Sequence, residues 1–327
     1  MSENTKKIKF RKIAFYGPAG CGKDHTAKAL TELIFHIGND SDAWKENFYH
    51  FSFATPLKKI MMNAFNLSEE MVTREYYKNN LWVNLYTMRI DKTTESHTFP
   101  EGIHDKKNGF LKIPTDACNL FKLLMIGMSS ATENKNCNIN SLMSKTKCEY
   151  VMTIRELLVY YGTYLMRNFI SDKIWVNMSF NNPDYIEAEN HNLMLINSDL
   201  RFPSEYERLK KEGYCFIKVI PEWQKNRKID NGNEKVNNIA ESFYDEFTPD
   251  YEFHNYNCND DSPYLEQEEE AYWKSLCLLG IFIIDGIKYK DFDLFLKSLE
   301  EFGMQTTYSN FIEKFINWKN NLWENNN

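Results

Sequence analysis

The stretch FYGPAGCGKDHTAKAL, residues 15–30, constrains the fold of this chain more than any other. Gly17-x-x-x-x-Gly22-Lys23 has the spacing of a loop that cradles phosphate. A run rich in β-formers, IKFRKIAFY (8–16), leads into it. A helix is predicted to leave it from about Gly22, with Ala27, Leu30, Ile34 and Ile37 at helical spacing and Gly38 with Asn39 as its stop. Glycines let such a loop curl until several backbone N–H groups point at one anion. The helix start adds the positive end of its dipole. Lys23 adds a mobile ammonium for β- and γ-phosphates. The expected ATP-binding residues are therefore Gly17, Ala19, Gly20, Cys21, Gly22, Lys23, Asp24, His25 and Thr26. With only 13 glycines in the chain, a chance match in this strand–loop–helix setting is rare.

Asp24 is unusual, because Ser or Thr normally stands there and places a hydroxyl on Mg²⁺. A carboxylate can serve the metal directly or through bound water, since Mg²⁺ takes oxygen ligands and keeps several waters. Beside a triphosphate it needs the metal or Lys23 to offset repulsion. Thr26 offers a hydroxyl two residues on. The alternative is a first-turn carboxylate favoured only by the helix dipole.

Strand and helix signals alternate along the rest of the chain. HFSFA (50–54) reads as a strand, and Thr55 with Pro56 as a helix start whose buried face carries Leu57, Ile60, Met61, Ala64 and Phe65. Thr153 and Glu156 form a capping box for a helix over 153–169, with Ile154, Leu157, Leu158, Tyr161, Leu165 and Phe169 on one stripe. LMLINSDLR (193–201) reads as a buried strand, PSEYERLKKEG (203–213) as a helix, CFIKVI (215–220) as a strand and YEFHNYN (251–257) as a last strand. The pattern implies an α/β fold with a mainly parallel sheet and helices on both faces. We expect a P-loop domain over 8–280, an insertion of changed texture at about 79–149, and a helical extension over 281–327. The polar loop 222–245, with Lys225, Arg227 and Lys228, reads equally as a lid or as a solvated loop.

Composition narrows the partners. A formal charge of −7 argues against general nucleic-acid or anionic-membrane binding, so a polyanion site must concentrate positive charge locally. Seven cysteines with no C-x-x-C spacing point to free thiols rather than zinc or a disulfide framework. The polar N-terminus lacks a signal-peptide pattern, and the run CLLGIFII is too short to span a bilayer. The expectation is a soluble, cytoplasmic protein acting on small molecules. Nothing in the sequence selects an oligomeric state.

Four stretches together resemble the P-loop deoxynucleoside monophosphate kinases of phages. They are Gly22-Lys23-Asp24, FATPLKKI (53–60), TIRELLVYYGTYLMRNFISDKIWVN (153–177) and NSDLRFPSEYERLKKEG (197–213), in the order that family shows them. The resemblance implies a P-loop NTPase fold, ATP as phosphoryl donor, Mg²⁺, and a deoxynucleoside monophosphate as acceptor. One departure is Asn238, ahead of Glu241, where the family often has His. A P-loop kinase of another phosphorylated acceptor, as in phosphomevalonate kinases, shares the Gly-Lys-Asp loop. A nucleotide-binding scaffold is the reading from a different class.

Physical reading adds roles to these stretches. Asp199 and Arg201 follow a buried strand, where ligands of open parallel sheets lie. Asp199 could order metal-bound water, and Arg201 could neutralise the moving phosphoryl group or grip the acceptor, unless they pair with each other or with Glu205. Arg155 and Gly162 are seven residues apart on one helix face. The glycine implies a close approach there, by substrate over Gly162 and Thr163 or by another helix. Lys58 and Arg74 complete the acceptor candidates, and Lys59 shares the unfavourable helix start with Lys58. The catalytic set is Lys23, Arg155, Asp199 and Arg201; the metal carboxylates are Asp24 and Asp199. Arg167 is expected at the surface and Trp175 in the core.

Overall fold

The computed structural model describes residues 8–38, 48–84, 89–92, 110–112, 151–222, 243–256 and 265–288. In chain order the first elements are β1 (Lys12–Tyr16), α1 (Lys23–Gly38), β2 (Phe48–Phe51), α2 (Ala54–Phe65), α3 (Glu69–Thr73), α4 (Glu75–Asn80), β3 (Leu81–Asn84), β4 (Arg89–Lys92), β5 (Phe110–Lys112) and β6 (Val151–Thr153). There follow α5 (Ile154–Val159), a π-helix (Tyr160–Ile170), α6 (Ile174–Phe180), α7 (Pro183–Asn190), β7 (Met194–Leu200), α8 (Pro203–Lys211), β8 (Cys215–Pro221), β9 (Tyr251–Asn255) and α9 (Leu265–Asp285). The chain divides into two compact units, Met1–Ser52 with Phe180–Asn327, and Phe53–Ser179.

Ile13, Ala14, Phe15 and Tyr16 are all fully buried, although they alternate between the two faces of β1. A strand buried on both faces belongs inside a covered parallel sheet. In the first unit β1 lies at the centre of the order β2-β7-β1-β8-β9, and every pairing is parallel. On one face Ile13, Phe15, Ile196, Ile217, Val219 and Phe253 pack with Ala27, Leu30 and Leu33 of α1 and Leu276, Leu279 and Phe282 of α9. On the other, Phe51 meets Phe180 and Tyr185, and Tyr206 of α8 stacks on Phe247 at 4.7 Å. The expected parallel sheet with helices on both faces is present.

Several boundaries differ from the sequence reading. β1 begins at Lys12 rather than Ile8, because the N–H groups of Lys9 and Phe10 donate to the carbonyls of Ile284 and Ile283 instead of to a strand. β2 occupies 48–51 rather than 50–54, since its register against β7 ends at Phe51 opposite Asn197. α2 therefore starts at Ala54, and Thr55 lies in its first turn rather than capping it; the N-cap position is Phe53, with no side-chain cap. Pro56 stays within that first turn, where its missing N–H costs nothing.

The second unit is built on a four-stranded antiparallel sheet, β5-β4-β3-β6. Leu81 and Val83 are buried while Trp82 and Asn84 are half-buried, the alternation of a sheet with one face on a core. That core includes Met61, Phe65, Met71, Val72, Leu157 and Tyr160. Three of its strands come from the stretch expected as an insertion, whose first two residues end α4; the rest of 79–149, the 222–245 loop from Trp223 to Ser242, and the extension beyond Lys288 lie outside the described residues.

Thr153 and Glu156 form the expected capping box. The helix they start does not stay α-helical: from Tyr160 it continues with the wider π pattern for 11 residues. Bonding from i to i+5 moves the buried stripe, so Tyr160 and Leu165, five apart, are buried while Tyr161 is only half-buried. Helices α3, α4, α6 and α7 were not anticipated, although Asn182-Pro183-Asp184 carries a readable start, with Asn182 accepting the N–H of Asp184.

Candidate nucleotide site

The loop between β1 and α1 has the geometry of an anion nest. Gly17 and Gly22 hold φ values of 145° and 86°, in the region L side chains avoid. Space forbids a side chain as well. A Cβ on Gly17 would lie 2.5 Å from the Val219 carbonyl oxygen, and one on Gly22 would lie 2.4 Å from the Asn255 amide nitrogen. Asn255, fully buried at the end of β9, donates that amide to the Cys21 carbonyl at 2.9 Å. The last strand of the sheet thus pins the loop from behind. Ala19 and Gly20 form its exposed crest.

Lys23 is only 8% exposed, and its ammonium sits within the loop. Nζ donates to the carbonyls of Gly17 at 3.0 Å and Pro18 at 2.9 Å and lies 3.6 Å from Cys21 Sγ. Neutral carbonyls are weaker acceptors than a phosphate, so an entering anion competes well for this donor. Burial raises the Cys21 thiol above its ordinary range, with Lys23 opposing, which leaves a neutral packing group. His25 is exposed and its ring lies 5.9 Å from that of Tyr272. The Thr26 N–H donates to Gly22 O at 2.8 Å, starting the α1 ladder. The Thr26 hydroxyl is fully buried and without a hydrogen-bond partner among the described residues, so it faces the core rather than the loop's mouth.

Two carboxylates stand where the parallel strands end. Ser198 donates its hydroxyl to Asp24, and His50 Nε2 lies 2.7 Å from Ser198 Oγ. Ser52 donates to Asp199, whose other oxygen accepts the Asn197 side-chain amide at 3.3 Å. Burial lowers the pKa of His50, while Asp24 and Asp199 both pull it upward. Arg201 is half-buried beside them in sequence, and its backbone N–H, with that of Phe202, donates to the buried Glu205 carboxylate at 2.8 and 3.1 Å. Glu205 therefore serves as a cap for α8. His50, Ser52, Ser198 and Asn255 were not singled out by sequence, where polar residues at strand ends read only as boundaries.

The remaining candidates belong to the second unit. Arg155 is exposed; its Nε donates to Asn79 Oδ1 at 2.7 Å, and its guanidinium meets Glu75 on α4. Arg74 is exposed and pairs with Glu70 at 2.8 Å. Lys58 and Thr163 are half-buried. What approaches Gly162 is Leu57 of α2: a Cβ at Gly162 would lie 2.6 Å from Leu57 Cδ2. The Gly162 carbonyl also accepts the indole N–H of Trp175 at 2.9 Å, and Trp175 is buried as expected. Arg167 is buried at 9% exposure rather than at the surface, with its guanidinium on the Asp172 carbonyl at 3.0 Å; the π-helix carries it inward, and a backbone acceptor compensates.

Among the described residues no three metal-ligating side chains gather, and no helix is long and apolar enough to cross a membrane. A search of curated proteins finds no match. A family model described as deoxynucleotide monophosphate kinase matches residues 12–235.

Proposed function

This chain belongs to the deoxynucleotide monophosphate kinase family and transfers a phosphoryl group from ATP to a deoxynucleoside monophosphate, and from that premise we propose how its residues divide the work. The loop amides and Lys23 hold the triphosphate. The observation that carries this is the Lys23 ammonium, enclosed by the loop and resting, among the described residues, on the carbonyls and sulfur found there. The donor set fits Mg²⁺: Asp24 and Asp199 offer carboxylate oxygens, while the nearby imidazole nitrogen of His50 is turned to Ser198. Asp24 and Asp199 would hold the metal, directly or through its waters. The metal would supply charge neutralisation on the phosphate oxygens. Arg155, Lys58, Arg74 and Thr163 would hold the acceptor phosphate and sugar. Arg155 would exchange Glu75 and Asn79 for the phosphate, whose oxygens can take two guanidinium N–H donors at once. Arg201 would neutralise charge on the group in flight. The protein's task in such a transfer is alignment and electrostatics rather than covalent chemistry.

The test is coupled ADP release across the common ribo- and deoxyribonucleoside monophosphates. ADP formation should depend on an added deoxynucleoside monophosphate, and Lys23→Ala should lower turnover by a factor on the order of 10² or more. Arg155→Ala should raise KM for the monophosphate with little change in KM for ATP. Release of ADP at a rate indifferent to added monophosphate would refute the division of roles.

A further inference from the structure

His50 and Ser198 have no part in the roles assigned so far, yet they are joined to Asp24 in one line. Asp24, as a carboxylate, can only accept, so the single hydroxyl proton of Ser198 points to it. Ser198 Oγ is then left as an acceptor toward His50, 2.7 Å away, and the proton on the imidazole must sit on Nε2. The direction of every bond in the line is thereby set: His50 to Ser198, Ser198 to Asp24. Ser198 is 1% exposed, which excludes competing water from its end of the line. The residues come from the ends of β2 and β7 and the first turn of α1, so the line joins three elements that secondary structure alone leaves independent.

We propose that His50 is a positioning residue that acts through Ser198 to orient the Asp24 carboxylate toward Mg²⁺·ATP. This rests on the reading of Asp24 as a metal-side group. A Ser or Thr hydroxyl at that position would have one oxygen, and no choice of which to present. A carboxylate has two, and can rotate to offer either or to turn toward Lys23. Ser198 occupies one oxygen and fixes the plane of the group, leaving the second directed outward. His50 keeps Ser198 from turning its hydroxyl elsewhere. Burial keeps the imidazole neutral near pH 7, which preserves a single donor nitrogen and an unambiguous direction. Ser198, one bond removed from the carboxylate that would meet the metal, is of a kind that typically contributes 10- to 100-fold in metal affinity, and His50 acts only through it.

The experiment measures thermal stabilisation of the full chain by a non-hydrolysable ATP analogue as Mg²⁺ is titrated, and reads the Mg²⁺ concentration at half effect. A change that only loosens the fold moves the melting temperature without metal but leaves this midpoint in place. Ser198→Ala and His50→Leu are each expected to raise the midpoint by about 10-fold or more. His50→Gln, whose amide nitrogen can reach the position of Nε2, should restore it. The double variant should be no worse than Ser198→Ala alone, because the two residues act in series. If leucine does not fold, His50→Asn provides the same test, since its shorter amide stops short of Ser198. Asp24→Ala separates the two levels of inference. A raised midpoint for Asp24→Ala with unchanged midpoints for the His50 and Ser198 variants overturns the positioning role and leaves Asp24 at the metal. An unchanged midpoint for Asp24→Ala removes both.

Discussion

Gly22 shows how a single residue can be over-determined. Its φ of 86° already disfavours any side chain, and the Asn255 amide occupies the place a Cβ would take. Gly22→Ala should therefore weaken stabilisation by ATP about tenfold or more, since forcing an L residue into this conformation costs about 1–2 kcal/mol before the clash is counted. Calorimetric ATP binding checks this. Adding Asn255→Ala removes the clash but not the backbone strain, and it also frees the Cys21 carbonyl, so it should not recover the parent affinity. The glycine was legible from its spacing. Asn255 was not, because it lies 234 residues from the carbonyl it holds, and an asparagine at a strand end carries no local signature.

At the scale of elements, the segment from Thr153 to Ile170 combines a boundary that was readable with a geometry that was not. Capping is local: Thr153 Oγ1 accepts the Glu156 N–H at 3.1 Å, and the Glu156 carboxylate accepts the Thr153 N–H at 2.8 Å. The change to π geometry carries no such local signature; inside it, the Leu57 side chain lies against Gly162 and the Trp175 indole donates to the Gly162 carbonyl. Gly162→Ala should destabilise the protein by about 1–3 kcal/mol through overpacking on Leu57, measured by denaturant unfolding. Leu57→Val in the same chain should recover part of that loss. An unchanged stability accompanied by a raised KM for the monophosphate would instead mean that substrate fills the space over Gly162. The shift of β2 and α2 is a tertiary effect: Thr55-Pro56 is a strong local start signal, but pairing with β7 ended the strand first and α2 began two residues earlier, with Phe53 rather than Thr55 at its N-cap.

For the molecule as a whole, the buried thiols give a pH test of the core. Burial pushes both Cys215 and Cys277 from the ordinary 9.0 up to about 12. The unfolded chain therefore releases these protons first as pH rises. Their contribution is fully present below pH 9 and is lost progressively toward pH 12. Each thiol can add a loss of about 1.4 kcal/mol per pH unit in that window. Melting temperatures from pH 7 to 11 should fall beyond about 9, and the Cys215→Ala, Cys277→Ala double variant should show a shallower fall, though from a lower starting stability. An identical slope in the variant would show that the thiols are not held protonated by the core.

What the amino-acid order determined alone is what depends on near neighbours: the phosphate loop between strand and helix, the capping box, and the apolar runs that became β7 and β8. Backbone torsions, caps and alternation act over a few residues, so a linear reading captures them. The tertiary structure alone decided what depends on residues brought together from far apart. It set the order β2-β7-β1-β8-β9, placed Asn255 behind Gly22, closed Leu57 on Gly162, and lined up His50, Ser198 and Asp24. Hydrogen bonds and packing contacts are short-ranged in space but indifferent to separation along the chain, and only folding turns the second kind of distance into the first.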